Sequence, residues 1–441
     1  MTISQLRKSA RKIWEAALTA ASPETCIRNA IRLNDGTLTA GGREFSLDGR
    51  VIVIGAGKAV ARMAQVVEGI LGHRITAGLV VTKDGHGLPL ERIRLVEAGH
   101  PIPDARGAQA IRETADLLTD LKPEDLVLCL ISGGSSALWP APAAGITLEE
   151  KRAVTSDLLR AGATIQELNG VRKHLSGVKG GQLARWAAPA RVISLIMSDV
   201  IGDPLDAIGS GPTAPDTTSF STALATVQKY DIEVPAATLA RLQSGARGQV
   251  PETPKAADPV FRNVHNLIIA NNQLLIDAAT RQARDLGFNT LVLGTEVEGE
   301  AKDVAGFFAA IAREVGQSGN PVAAPACILA AGETTVTVRG HGLGGRNQEM
   351  ALAWAISMAA RYAPGASCFA SVATDGTDGP TNAAGGLVDP LTCSRAIEKG
   401  MMPLNYLRSN DSSNLLSATG DLIVTGPTQT NLMDLQILLV G

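Results

Sequence analysis

The stretch "RVIVIGAGKAVARMAQVVEGIL" (residues 50–71) decides the fold. A short, unbroken apolar run ends on a glycine turn and passes directly into a segment with helical spacing. An unbroken run of that length is the mark of a strand buried on both faces of a parallel sheet. "DLVLCLIS" (125–132) and "RVISLIMSD" (191–199) repeat it, and "AGLVVTK" (77–83) and "RIRLVEAGH" (92–100) read as further short strands. Between them, "ARGAQAIRETADLLTDL" (105–121) and "TLEEKRAVTSDLLRAG" (147–162) read as helices, the second opened by Thr147 and Glu150 in capping-box spacing. This alternation predicts a layered α/β/α sheet of Rossmann-like type.

Working outward, "SGARGQVPETPKAADPV" (244–260) is rich in Gly, Pro and charge and reads as a linker. Beyond it the alternation resumes. "NLIIAN", "TLVLG", "ACILAAGE", "TTVTVRG" and "CFASVATDG" are the expected strands. "QLLIDAATRQARDLG", "KDVAGFFAAIAREVG" and a segment from Asn347 are the expected helices. "DLIVTGPTQTNLMDLQILLVG" closes the chain as two apolar strands around a Gly-Pro turn. A chain of 441 residues is too long for one ordinary core. The expectation is two layered α/β/α domains, 1–250 and 251–441, with the active site in the cleft between them.

Hydrophobic residues make up 45% and charged residues 19%, which places the chain among folded proteins. A net charge of −3 offers no global field to attract nucleic acid or a membrane surface, so an anionic ligand needs a local cluster. The five cysteines are scattered with no CxxC, which fits a reduced, cytoplasmic protein and argues against a disulfide or zinc framework. The start, "MTISQLRKSARKIWEAAL", is amphipathic, with Leu6, Ala10, Ile13 and Ala17 on one face, and lacks a signal-peptide core. No apolar run approaches the ~18 residues of a membrane span.

Five loops fall just after apolar strands, the edge where open α/β sheets bind ligands. At 53–64, Gly55, Gly57 and Lys58 stand at a strand-to-helix junction suited to phosphate. Val60 occupies the third position of a dinucleotide fingerprint, and Ala59 breaks a P-loop, so neither standard motif is present. At 129–142, Ser132, Gly133, Gly134, Ser135 and Ser136 form a run of amides and hydroxyls suited to a carboxylate or phosphate. At 167–184, Arg172, Lys173, His174 and Lys179 are the densest positive charge. A solvated helix face is the competing reading there, and His174 reads as structural. At 196–216, Asp199 closes a strand and suits Mg²⁺ or a general base, while Asp203 and Asp206 are credited to turn chemistry. The last loops hold Glu333 and Arg346 among Gly332, Gly340, Gly342, Gly344 and Gly345, and Asp375 and Asp378 after a further strand. The glycines are expected to let backbone and Arg346 reach a phosphate. Such an assembly describes an electrostatic site for phosphoryl transfer.

The motifs "GAGKAVARMA", "AGHPIPDARG", "ISGGSSAL", "LNGVRKHLSGVKGGQLA", "SDVIGDPLDAIGSGPT", "GETTVTVRGHGLGGRNQEMAL", "ATDGTDGPTNAAGG" and "TGPTQTNLMDLQILLV" stand in order along the chain. Together they resemble the two-domain glycerate kinases, whose C-terminal half is the MOFRL domain. The resemblance covers about Lys8 to the last residue. It implies that the protein uses ATP and Mg²⁺ to phosphorylate D-glycerate, most often to 2-phosphoglycerate; for assembly, a monomer and a homodimer both stay open. Carried onto this chain, it implies that Lys58 and Arg346 stabilise the transferring phosphoryl group. Asp199 orients or deprotonates the acceptor hydroxyl, or holds Mg²⁺. Glu333 and Asp375 serve metal or nucleotide, and Ser132 through Ser136 hold a carboxylate or phosphate, with Gly344, Gly345, Arg172 and Lys173 as further anion contacts. An NAD(P)H-dependent hydroxypyruvate reductase and a non-catalytic sugar-acid sensor are the alternatives. The reductase would need an acidic ribose contact about 20 residues past the glycines, where Ala77 stands.

Overall fold

In this computed structural model, which describes residues 1–361 and 365–441, the apolar run at 51–56 is a central strand of a parallel sheet. An antiparallel meander precedes it: β1 (Ile31–Asn34), β2 (Thr37–Ala40) and β3 (Arg43–Ser46). Then β4 (Val51–Ala56), β5 (Ala77–Lys83), β6 (Arg94–Ala98), β7 (Leu126–Ile131), β8 (Arg191–Met197) and β9 (Val264–Ala270) form a sheet in the order β6-β5-β4-β7-β8-β9. Every pairing from β6 to β8 is parallel. All residues of β4 and β7 are buried, as central strands covered on both faces must be. Asp104 starts the helix Ala105–Leu117 by accepting from the amides of Arg106 and Gly107. That helix buries Ala110 and Ile111 in one core with Ile52, Ile54, Leu79 and Val81. The capping box at Thr147 and Glu150 is present.

From β4 the chain runs outward to β5 and β6, then returns to the opposite flank as β7 and β8. The loops after β4 and β7 therefore leave the same sheet edge side by side. This is the topological switch point at which open α/β sheets form a ligand crevice.

By internal contacts the chain divides into Pro23–Ile269 and a second unit of Met1–Ser22 with Ala270–Gly441. This differs from the expected division at residue 250 for two reasons. The segment read as a linker is tied down within the first unit: buried Thr253 donates to Asp216 (2.8 Å), and Arg185 donates to the Glu252 carbonyl (2.9 Å) and pairs with Asp258 (3.0 Å). β9 then extends the first sheet. The helix Ile3–Ala20, with Leu6, Ala10, Ile13 and Ala17 buried, packs instead on the helix Asn272–Asp285 and on strands of the second sheet.

The second sheet contains β10 (Asn289–Val297), β11 (Ala326–Gly332), β12 (Ser367–Ala373), β13 (Gly385–Val388), β14 (Leu422–Ile423) and β15 (Asp434–Val440), in the order β10-β11-β15-β12-β13-β14. β10 and β11 pair in parallel and the other neighbours are antiparallel. The helices Ala301–Ser318 and Arg346–Ala359 share a core with it around Phe308, Trp354 and Phe369. Two expectations are corrected. "TTVTVRG" is irregular: Thr335 makes a single bridge to Glu300, and Thr337 binds the Glu300 carboxylate. The last two strands are not a hairpin. Apolar β15 inserts between β11 and β12, while two-residue β14 sits on the edge beside β13. The short helices Thr392–Glu398, Pro403–Arg408 and Ser412–Thr419 were not foreseen. Among the described residues no helix is long and apolar enough to cross a membrane.

Candidate active site

At the switch point the backbone is committed to the protein. Gly57 N–H donates to the Val81 carbonyl (3.1 Å), Lys58 N–H to the Gly133 carbonyl (2.8 Å), and Ala59 N–H to Ser132 Oγ (3.0 Å). The amides of Gly57, Lys58 and Ala59, just ahead of the helix Val60–Leu71, are thus satisfied internally, so this turn itself does not present them to a phosphate. The glycines have a packing reason instead. A Cβ at Gly55 would lie 2.6 Å from the Leu130 carbonyl oxygen, and one at Gly57 (φ +146°) 2.1 Å from Ser132 Oγ. The Lys58 side chain is what this junction offers a ligand. Its stem runs beside Gly134, where a Cβ would lie 3.4 Å from Lys58 Cγ and 3.0 Å from the His100 ring.

The serine loop divides into structural and exposed parts. Ser132 is fully buried, its hydroxyl taken by the Ala59 amide. Ser135 is buried, and its hydroxyl has no hydrogen-bond partner among the described residues. Ser136 Oγ lies 3.0 Å from Ser210 Oγ, and Lys179 Nζ donates to both the hydroxyl and the carbonyl of Ser136 at 2.8 Å. Ser136 also lines a cavity of about 840 Å³, together with Lys151 and Arg172.

The basic segment is not a solvated face. Lys173, His174 and Lys179 are each at most 2% exposed. Lys173 is locked between Asp206 (3.0 Å) and Asp216 (3.1 Å), so it is spent on an ion pair, and Asp206 does more than shape a turn. Asp203 takes a left-handed turn conformation (φ +55°). His174 is structural: Nδ1–H donates to the Gly170 carbonyl (2.7 Å), Nε2 lies 3.2 Å from Glu252, and the ring meets the edge of Phe220. Lys151 Nζ donates to the Pro140 carbonyl (2.5 Å). Burial, then the charge of Arg172, holds the Lys151 and Lys179 ammonium groups well below their ordinary pKa, and burial lowers that of Arg172. Among the described residues no carboxylate pairs with these three cations. Asp199 lies two residues past the end of β8 and is partly exposed.

In the second unit Arg346 opens its helix and grips Asp434 with a two-pronged fork, Nε at 2.5 Å and a terminal nitrogen at 2.9 Å. Glu333 adds a contact at 3.1 Å. Burial works to lower the Arg346 pKa, but these carboxylates outweigh it and hold the guanidinium charged. Asp378 occupies the helix N-terminus, its carboxylate accepting from the amides of Asn347 (3.1 Å) and Gln348 (2.9 Å). The glycines beside it have a packing reason too. A Cβ at Gly345 would lie 2.3 Å from Asp378 Cγ, and one at Gly344 2.3 Å from Ser412 Oγ. Asp375 accepts from the Thr377 amide and hydroxyl, both at 3.0 Å.

Among the described residues no three His, Cys, Asp or Glu gather as metal ligands. Asp199 in the first unit, and Glu333 with Asp375 in the second, are separate acidic positions. This donor set fits Mg²⁺ held by one or two carboxylates with phosphate and water oxygens, and does not fit an all-protein cage. Sequence reasoning missed Lys151, His100, Ser210 and Asp434. Lys151 reads as one more charge on an amphipathic helix. An acid at the head of the apolar run "DLQILLV" was the available signal for Asp434.

Residues 9–243 match a family described as a domain of unknown function (DUF4147), and residues 326–434 match the MOFRL family. A Pyrococcus horikoshii protein named glycerate 2-kinase is 41% identical, over 100% of this chain and 98% of its own length. An Agrobacterium vitis protein with a provisional hydroxypyruvate reductase name is also 41% identical, over 99% of this chain and 94% of its own. A crystal structure of glycerate kinase from Thermotoga maritima superposes with a TM-score of 0.88 at 39% identity, covering 99% of this chain and 100% of that one. The class is thus an α/β protein that joins a DUF4147 region to a MOFRL region. The chain belongs to the two-domain glycerate kinases.

Proposed function

We propose that the protein transfers the γ-phosphoryl group of ATP to the 2-hydroxyl of D-glycerate, giving 2-phosphoglycerate. The observation that carries this reading is the gathering of Lys58, Ser136 and the Lys151–Arg172–Lys179 cations in the unit whose switch point lacks a dinucleotide fingerprint. Full-length similarity to proteins named glycerate kinase supports it. Phosphoryl transfer asks for positioning and charge neutralisation more than covalent chemistry. Lys58 acts as a point charge on the transferring group. Arg346, oriented by Asp434, is the second cation of the reaction. Asp199 orients or deprotonates the acceptor hydroxyl, or holds Mg²⁺, and Glu333 and Asp375 serve metal or nucleotide. Ser135 and Ser136 hold an anionic oxygen of the substrates. When bound, Mg²⁺ supplies neutralisation of phosphate charge. A cytoplasmic monomer or homodimer completes the reading.

The Agrobacterium vitis name favours a reductase as the second reading. A pyrophosphate at the Gly55–Val60 turn would need amides that Val81, Gly133 and Ser132 already occupy. The test is ADP release from Mg-ATP with D-glycerate, beside NADH oxidation with hydroxypyruvate. Glycerate-dependent ADP release with no NADH loss is expected. NADH loss without ADP release would overturn the kinase reading.

A further inference from the structure

The cavity beside the helix Leu148–Arg160 is larger than a three-carbon acid requires. At about 840 Å³ it lies in the range of pockets that enclose drug-sized ligands. At the rim, exposed Arg152 and Arg160 are matched by Glu149 and Asp157, with Arg160 paired to Asp157, and the rest of the lining divides by chemistry. Ser136, Lys151 and Arg172 supply donors and positive charge, with Lys179 holding Ser136. Ile102, Leu148 and Leu159 supply apolar surface, and Ile102 and Leu159 are 61% and 58% exposed.

Arg172 decides the ligand's charge. Its side chain is half-buried at the cavity wall and, among the described residues, makes no hydrogen bond or ion pair. It lies close enough to Lys151 and Lys179 for the three to repel one another. Placing the buried Lys151 and Lys179 beside half-buried Arg172, with no carboxylate paired to any of them among the described residues, costs free energy that an arriving anion offsets. A monocarboxylate would neutralise one of them, whereas a polyphosphate matches the group.

We infer that this cavity is the nucleotide site, with the polyphosphate of a nucleoside triphosphate on Arg172, Lys151 and Ser136 and the base on the apolar wall of Ile102, Leu148 and Leu159. Ser136 is two residues from Gly134, beside which Lys58 runs, so the phosphate end faces the sheet edge. The inference rests on the kinase reading for the nucleotide's purpose, but binding is measurable without turnover.

Calorimetric titration of the full chain with ADP, pyrophosphate and D-glycerate tests it, using wild type, Arg172→Gln and Ile102→Asp. Both substitutions should weaken ADP by at least about tenfold, the size of one lost charge-assisted contact, and leave D-glycerate within about twofold. Pyrophosphate should lose affinity in Arg172→Gln alone. Retained D-glycerate binding shows that each variant is folded. Unchanged ADP affinity in both variants, or absence of ADP binding to wild type, overturns the inference. So does loss of D-glycerate affinity with ADP affinity kept, which would make the cavity the acid's site. ADP binding that follows the pattern, without glycerate-dependent turnover, would remove the kinase reading and leave the site standing.

Discussion

Arg346 holds its fork against a carboxylate with no exposure to solvent, and it is itself about 30% exposed. Removing the arginine strands Asp434 as an unpaired buried charge. Arg346→Ala should therefore cost roughly 3 kcal/mol, the low end for a broken buried pair because one partner is partly solvated. Urea unfolding reads this, and an unchanged midpoint would contradict it. Arg346→Lys keeps the charge but loses the fork, so its midpoint should fall between the two. Lys58 is the contrasting case. Its backbone amide makes the structural bond to Gly133, and any side chain can keep that bond. Lys58→Met should leave the fold intact and lower kcat by about 10²–10³, the typical effect of one lost preorganised charge. A kcat within a few-fold of wild type would remove Lys58 from the chemical step. The glycines were legible as places that admit no side chain. That the crowding atoms belong to Ser132 and Asp378 was not, because those partners are distant in sequence.

At the scale of the element, the helix Arg346–Ala359 is met at its N-terminus by Asp378 from the loop after β12. Burial is the main cause that pushes Asp378 up to about 6, with amide hydrogen bonds from Gln348 and Asn347 working against it. A carboxyl raised above its unfolded value binds its proton more tightly in the native state. Ionisation therefore favours unfolding, and this group's contribution falls as pH rises from about 4 through about 6. The whole effect is roughly 3 kcal/mol. Asp378→Asn should lack it, so wild type should lose stability relative to the variant across that window. Urea midpoints of both proteins at a series of pH values check this. A constant difference would mean that Asp378 does not titrate there. The strands β4, β7 and β8 were readable because an apolar run implies two covered faces. "TTVTVRG" misled because β-branched residues make a strand only when a neighbour strand is present. The helices between 392 and 419 span too few turns to show a period.

For the whole molecule, the telling segment is the first. The helix Ile3–Ala20 buries Leu6, Ile13 and Trp14 in the second unit, and Arg7 pairs with Asp389 (2.7 Å) and Asp421 (2.9 Å) there. Each large apolar side chain contributes about 1.5–3 kcal/mol when buried. A chain lacking residues 1–22 should lose several kcal/mol from that unit. Calorimetry should show its transition shifted down or absent, with the transition of Pro23–Ile269 kept. An unchanged thermogram would mean that the helix is dispensable. The sequence by itself determined the strand–helix alternation, the strand-end position of the functional loops and the family, because periodicity and motif order are local properties of the chain. The tertiary structure alone decided which charges are spent on ion pairs. Lys173 has its carboxylates and Arg172, its neighbour, has none among the described residues. Lys179 reaches Ser136 across 43 positions and Arg346 reaches Asp434 across 88. Such pairings depend on which distant segments the fold brings together, and spacing along the chain carries no record of them.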